Sequence, residues 1–167
     1  MRSSQVYYGT KKVKATPMTL LEYNTYRGWV LPAQVDGSDK GYMVEYDNGG
    51  PPNDPRHQNY ISWSPAAVFE SAYQPEGALS FGHAIVAAKA GKRVSRIGWN
   101  GKGMFIYYVK ANSYPVERNA GSAIIGHFSD DMVPYRDYLA MKTVNDEVVP
   151  WVASQSDILS DDWFIME

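Results

Sequence analysis

Residues 98–105, Gly-Trp-Asn-Gly-Lys-Gly-Met-Phe, put an indole and a carboxamide into a turn bracketed by Gly98, Gly101 and Gly103. Glycines in such a turn permit positive φ and let backbone N–H groups approach a phosphate closely. Trp99 offers a flat face for a base, and Asn100 a donor and an acceptor for ribose or base edges. The spacing matches neither a Walker loop nor a dinucleotide fingerprint. The same residues also make an ordinary hairpin turn with Trp99 folded onto a core, and both readings stand. Trp151 is the second candidate: it follows Pro150 and precedes a short helix opened by Ser156 and Asp157. A helix N-terminus presents free N–H donors and partial positive charge to a phosphate or ribose oxygen. Ser154 and Gln155 are its side-chain partners. The alternative is that Ser156 or Asp157 simply caps the helix while Trp151 fills the core. Arg93, Arg96, Lys102, Arg118, Arg136 and Lys142 are the possible phosphate cations, most of them expected as solvated surface charge.

Catalytic chemistry is not written into the chain in the same way. His57, His83 and His127 are scattered without metal-ligand spacing, and no Gly-x-Ser-x-Gly elbow occurs. The absence of cysteine excludes thiol nucleophiles, thiolate metal sites and disulfides. Asp130-Asp131 and Asp161-Asp162 are adjacent pairs, better read as loop or helix starts than as an acid–base couple. No catalytic residue, metal or cofactor is therefore expected. The formal net charge of -2 gives no basic field to hold a DNA or RNA polymer, but a small ligand with a few phosphates needs only local cations. No apolar run approaches the length of a bilayer span and none follows Met1–Gln5, so neither membrane insertion nor a signal peptide is expected, and the cytosol is the default compartment. Aromatics make up 14% of the 167 residues, with 13 tyrosines and 5 tryptophans. That exceeds what a core of this size buries, which points to self-association.

The elements expected to position these residues fall into two α+β modules, each an antiparallel sheet with one or two short helices: residues 1–75 and 77–167, divided at Gln74-Pro75-Glu76-Gly77. In the first, Val6-Tyr7-Tyr8 and Lys12-Val13-Lys14 read as a short strand or hairpin edge. Thr19 and Glu22 form a capping box for a helix ending by Gly28. Gly41–Tyr46 and Tyr60–Trp63 read as strands, and Ser64 caps a short helix with Pro65 at its first position. In the second, Ser80 caps a helix whose Phe81, Ala84, Ile85 and Ala88 recur at helical spacing, with Gly91 as left-handed terminator. His83 stands where a capping-box Glu would be expected, so packing must support that helix. Arg93–Arg96 and Met104–Val109 are antiparallel strands, and Lys110–Pro134 is a long irregular connection. Tyr138–Lys142 and Val148–Val152 form a hairpin, Ser156 to about Asp161 a short helix, and Trp163–Ile165 a final strand. Phe105 and Tyr107 share one face of their strand, Ile106 and Tyr108 the other; one face is to cover the helix and the other to remain free.

Three motifs in this order, the Gly98–Phe105 turn, Tyr138–Thr143 leading into Val149–Asp157, and Asp161-Asp162-Trp163, make the second half resemble the phage anti-Thoeris sponges. The resemblance implies a non-catalytic protein that sequesters cyclic ADP-ribose isomers made by bacterial TIR-domain defence proteins, in some relatives also cyclic oligonucleotides, in the cytoplasm of the infected host. It further implies a homotetramer with the ligand enclosed between protomers. Carried over residue by residue, the ligand contacts are Trp99, Asn100, Met104, Met141, Trp151, Ser154 and Asp157, with Phe81 at the helix start as a softer candidate. The chain departs from compact members by its N-terminal module and its longer Lys110–Pro134 connection. The N-terminal module looks like a small unit of phage proteins through Pro17-Met18-Thr19, Tyr26-Arg27-Gly28-Trp29 and Ser62-Trp63-Ser64-Pro65, a likeness that brings no function. A phage structural or interaction adaptor is the alternative from another class, and a nucleotide-processing enzyme the third.

Overall fold

A computed structural model describes residues 4–116 and 122–167. The chain divides into two compact units, Met1–Tyr73 and Gln74–Glu167. Both are α+β with antiparallel sheets, as the sequence pattern implies.

In the first unit, β1 (Val13–Pro17), β2 (Gly41–Tyr46) and β3 (Ile61–Pro65) pair in that order, accompanied by α1 (Leu20–Arg27) and α2 (Ala66–Ala72). α1 begins with the expected box: Thr19 Oγ1 accepts from the Glu22 amide at 3.2 Å, and the Glu22 carboxylate accepts the Thr19 amide at 2.7 Å. Tyr23, Val44 and Ile61 are buried, and the Trp63 indole donates to the Met18 carbonyl at 2.9 Å. Tyr42, Phe69 and Tyr73 stack in series, with centroids 4.4 and 4.8 Å apart. Two expectations fail. Val6-Tyr7-Tyr8 forms no strand and is exposed. Ser64 caps nothing, because it is paired with Tyr42 inside β3; the N-cap of α2 falls on Pro65, which provides no side-chain acceptor.

The second unit is built on a five-stranded sheet. Its strands are β4 (Arg93–Arg96), β5 (Phe105–Val109), β8 (Tyr138–Lys142), β9 (Val148–Pro150) and β10 (Trp163–Met166), in the order β10-β4-β5-β8-β9. α3 (Phe81–Lys89) packs on β4, β5 and β10. Ala84, Ala88, Val94, Ile106, Met141 and Trp163 form the core between helix and sheet, with Tyr108 against it. The face of Ile106 and Tyr108 is thus the covered one. Leu79 and Trp163 exchange backbone hydrogen bonds of 3.0 and 3.1 Å, tying the lead-in of α3 to β10. Ser80 makes no side-chain cap; its hydroxyl lies 2.8 Å from His83 Nδ1 instead, so α3 is held mainly by its buried face, and it closes before the left-handed Gly91 (φ 84°).

The connection after β5 is less irregular than expected. β6 (Asn112–Pro115) and β7 (Met132–Tyr135) pair as an antiparallel ribbon, in which Pro115 faces Met132 and Pro134 faces Ser113. In a two-stranded ribbon both strands are edges, where a missing N–H is tolerated. Arg118, Asn119 and Gly121 lie outside the described residues. The last helix, α4 (Gln155–Ile158), starts earlier and is shorter than expected. Ser154, rather than Ser156 or Asp157, is its N-cap.

Candidate functional site

Four rings meet where the β4–β5 turn, the start of α3, the end of β9 and the start of β10 converge. Trp163 is fully buried at the centre. Around it stand Trp99 at 5.5 Å, Phe81 at 5.5 Å and Trp151 at 6.2 Å between centroids, all half-buried. Trp99 and Trp151 also meet edge-to-face at 6.1 Å, and Phe81 lies tilted against Trp151 at 6.2 Å. Such pairs contribute about 0.5–1.5 kcal/mol each beyond area burial. Trp99 and Trp151 thus pack against the core, as one reading of their sequence context expects, and keep part of their surface exposed.

The β4–β5 turn owes its shape to close approach. A Cβ on Gly101 would come within 2.0 Å of Met104 Sδ, so only glycine lets the Met104 side chain cross the turn. Met104 and Met141 both pack at the core, Met141 buried within it. Asn100 is exposed, and no side-chain hydrogen bond holds it among the described residues.

Polar geometry beneath the rings centres on Asp157, which is 8% exposed. Its Oδ1 accepts from Arg96 Nη1 at 2.8 Å and from the Trp99 indole at 3.1 Å. Its Oδ2 accepts from the Ser154 hydroxyl at 2.6 Å and the Ser154 amide at 3.1 Å. Burial pushes this carboxyl up, but the bonds from Ser154, Arg96 and Trp99 outweigh it and bring it down to about 2. The Trp163 indole donates to the Asp157 carbonyl at 3.0 Å. Arg96 also pairs through Nε with Asp162 at 2.7 Å, holding that carboxyl below its usual range, and Asp162 accepts the Gly98 amide at 2.8 Å.

These bonds revise several expectations. Ser154 and Asp157 form the capping box of α4, and Asp157 also holds the Trp99 indole, so both serve the site by positioning the helix start and Trp99. Arg96 is a brace between two aspartates and so is neutralised as a phosphate cation. Lys142 pairs with Asp146, and Arg93 lies over Phe105 and donates to the Glu167 carbonyl. Lys102 and Arg136 are exposed and make no ion pair among the described residues. An open cavity of about 400 Å³ lies elsewhere, lined by Lys92, Arg93, Phe105, Tyr107, Tyr108 and Lys142 among others, and none of the carried-over residues borders it. The structure therefore gathers Phe81, Trp99, Trp151, Met104, Met141, Ser154 and Asp157 around one aromatic cluster, with Asn100 in the adjoining turn. The brace formed by Arg96 and Asp162 was missed, since nothing in local spacing links residues 61 and 66 positions apart.

Among the described residues no group of His, Asp or Glu is placed to hold a metal ion, and no helix is long and apolar enough to cross a membrane. The second unit is thus a small α+β domain built on an antiparallel sheet and a tryptophan cluster. Residues 79–166 match the Thoeris anti-defense 2-like domain, and the chain belongs to that phage anti-defence family. Over 88 residues it is 33% identical to Thoeris anti-defense 2 of Bacillus phage SP01, an overlap of 53% of this chain and 94% of that protein. The family match leaves residues 1–78 outside.

Proposed function

We propose that the second unit captures a cyclic ADP-ribose signal made by TIR-domain defence proteins and holds it intact, starving the effector of its activator in the infected cell. The observation that carries this reading is the cluster of Phe81, Trp99 and Trp151, half-buried around Trp163, beside the exposed Asn100. An accessible indole contributes about 1–3 kcal/mol per stacked base. Asn100 bonds ribose or base edges, and Lys102 in the same turn, which makes no ion pair among the described residues, is a cation for phosphate. Capture is non-catalytic: the polar groups under the rings are engaged in holding them. The chain works as a homotetramer with the ligand enclosed between protomers, which gives the partly exposed rings their second wall. A cyclic oligonucleotide offers the same base and phosphate chemistry and is the second ligand class.

The test is incubation of the full chain with a cyclic ADP-ribose isomer, and in parallel a cyclic dinucleotide, followed by removal of free ligand and heat denaturation. Intact ligand released on heating supports capture. Altered ligand indicates an enzyme, and no capture leaves an interaction adaptor. Light scattering at micromolar concentration reads the assembly, and a monomer overturns the tetramer.

A further inference from the structure

The first unit brings together three residues that the sequence leaves far apart. Tyr26, in the last turn of α1, has its hydroxyl 2.8 Å from His57 Nε2. His57 Nδ1 lies 3.0 Å from Glu45 Oε2 on β2. The other Glu45 oxygen accepts from the Asn59 amide and side chain at 3.2 and 3.3 Å. The bond from His57, with those from Asn59, holds the Glu45 carboxyl below its ordinary range, burial opposing. A carboxylate only accepts, so Nδ1 carries a proton toward Glu45, and in the tautomer protonated there alone Nε2 accepts from the Tyr26 hydroxyl. The order is therefore hydroxyl, imidazole, carboxylate and amide clamp: a nucleophile in reach of a base that a third group orients.

A cation completes the arrangement. The Arg56 guanidinium lies 3.7 Å from the centroid of the Tyr26 ring. It is fixed there by Asp54 through Nε and Nη2 at 2.9 and 2.7 Å, and by the Tyr26 carbonyl at 2.6 Å. None of its described bonds uses Nη1, and its side chain is 48% exposed. Buried Asp54 in turn pairs with Arg27, and Asn53 exchanges two 2.9 Å bonds with the Ile61 backbone, so the loop carrying Arg56 and His57 is anchored at its base.

We infer that Tyr26 is an activated nucleophile for phosphoryl electrophiles, with His57 as its base, Glu45 as the group that orients the base, and the Nη1 edge of Arg56, which none of its described bonds uses, as a donor to phosphoryl oxygen. This is separate from ligand capture by the second unit. In the step, the Tyr26 oxygen attacks phosphorus and an O–P bond forms. Its proton passes to His57 Nε2, whose imidazolium is balanced by Glu45. The bond from phosphorus to its leaving group breaks, and that group departs with the electron pair. The natural donor class is a phosphoanhydride such as a nucleoside triphosphate.

The experiment treats the full chain with an alkyl fluorophosphonate, which presents the same phosphorus centre with fluoride as leaving group, and maps modified tyrosines by peptide mass spectrometry over time. Tyr26 should react at least tenfold faster than Tyr7 and Tyr8, which are 83% and 97% exposed and serve as internal standards. His57→Gln and the isosteric Glu45→Gln should each slow Tyr26 at least tenfold without changing the standards. Circular dichroism checks the fold of each variant; where His57→Gln unfolds, Glu45→Gln decides. A Tyr26 rate no greater than that of Tyr8, or a rate indifferent to folded Glu45→Gln, overturns the assignment. Either result leaves the capture assay untouched, so the two readings fail separately.

Discussion

Asp157→Asn perturbs one buried carboxylate with little change of shape, and the structure sets its effect. The folded carboxyl is brought from its ordinary 3.8 to about 2, by bonds from Ser154, Arg96 and Trp99 that override burial. At 1.36 kcal/mol per unit, the ionised form stabilises the second unit by about 2 kcal/mol. The folded value lies below the unfolded one, so this stabilisation is present above about pH 4 and is lost as the pH falls through 2. The amide copies the protonated acid, hence the variant lacks the stabilisation at every pH. Arg96 keeps Asp162 at 2.7 Å, so its guanidinium is not stranded. Urea unfolding of both proteins from pH 7 to pH 2, followed by tryptophan fluorescence, should show the variant weaker by about 2 kcal/mol at pH 7, a gap that closes toward pH 2. A gap of the same size at every pH would refute the reasoning, since it would trace to lost packing rather than to charge. No gap at pH 7 would mean that the bonds to Asp157 stabilise its neutral and ionised forms alike.

Asn100 is exposed and Trp151 half-buried against Trp163, so their variants should separate binding from folding. Asn100→Ala should weaken capture at least tenfold, about 1.4 kcal/mol, with an unchanged melting temperature, whereas Trp151→Ala should lower both; calorimetry and thermal melts read the two. Gly101→Ala places a methyl 2.0 Å from Met104 Sδ, and displacing that flexible chain should cost about 1–3 kcal/mol; urea titration checks it, and an unaffected midpoint would show that Met104 swings aside freely. Residues 74–167 should fold alone and keep capture, the start set at Gln74 because its side chain accepts the Ser80 amide at 2.8 Å. An insoluble fragment, or a folded one that fails to bind, would tie the second unit's activity to the first.

How far the sequence discloses this chain depends on how local each interaction is. Thr19 and Glu22 are three residues apart and their box forms as read. Ser154 and Asp157 have the same spacing and also form a box, but Asp in place of the usual Glu at the third position makes that box harder to read from sequence. β6 and β7 were hidden by Pro115 and Pro134, which argue against a central strand but not against a ribbon made only of edges. As ligand candidates, Trp99 in its glycine turn and Trp151 at its strand end were legible from residue type and place, and Phe81 only through the family resemblance. Their support was not. Arg96 meets Asp157 and Asp162 across 61 and 66 residues, and Tyr26 meets His57 across 31, distances over which only the completed fold brings groups together.

On the proposed capture reading, the packing of the cluster also prepares its rings for a ligand. Trp163 is wholly enclosed and spends its surface on packing, while Phe81, Trp99 and Trp151, packed around it, keep part of their surface exposed. Trp99 is fixed twice, by rings on two sides and by the Asp157 carboxylate at its indole N–H. A side chain free to rotate loses about 0.5–1.5 kcal/mol on immobilisation by a ligand. Trp99 has lost that freedom on folding, so the stacking energy of a base is not offset by ordering the ring. The brace that stabilises the second unit and the geometry that would receive a base are therefore one set of bonds, centred on Asp157.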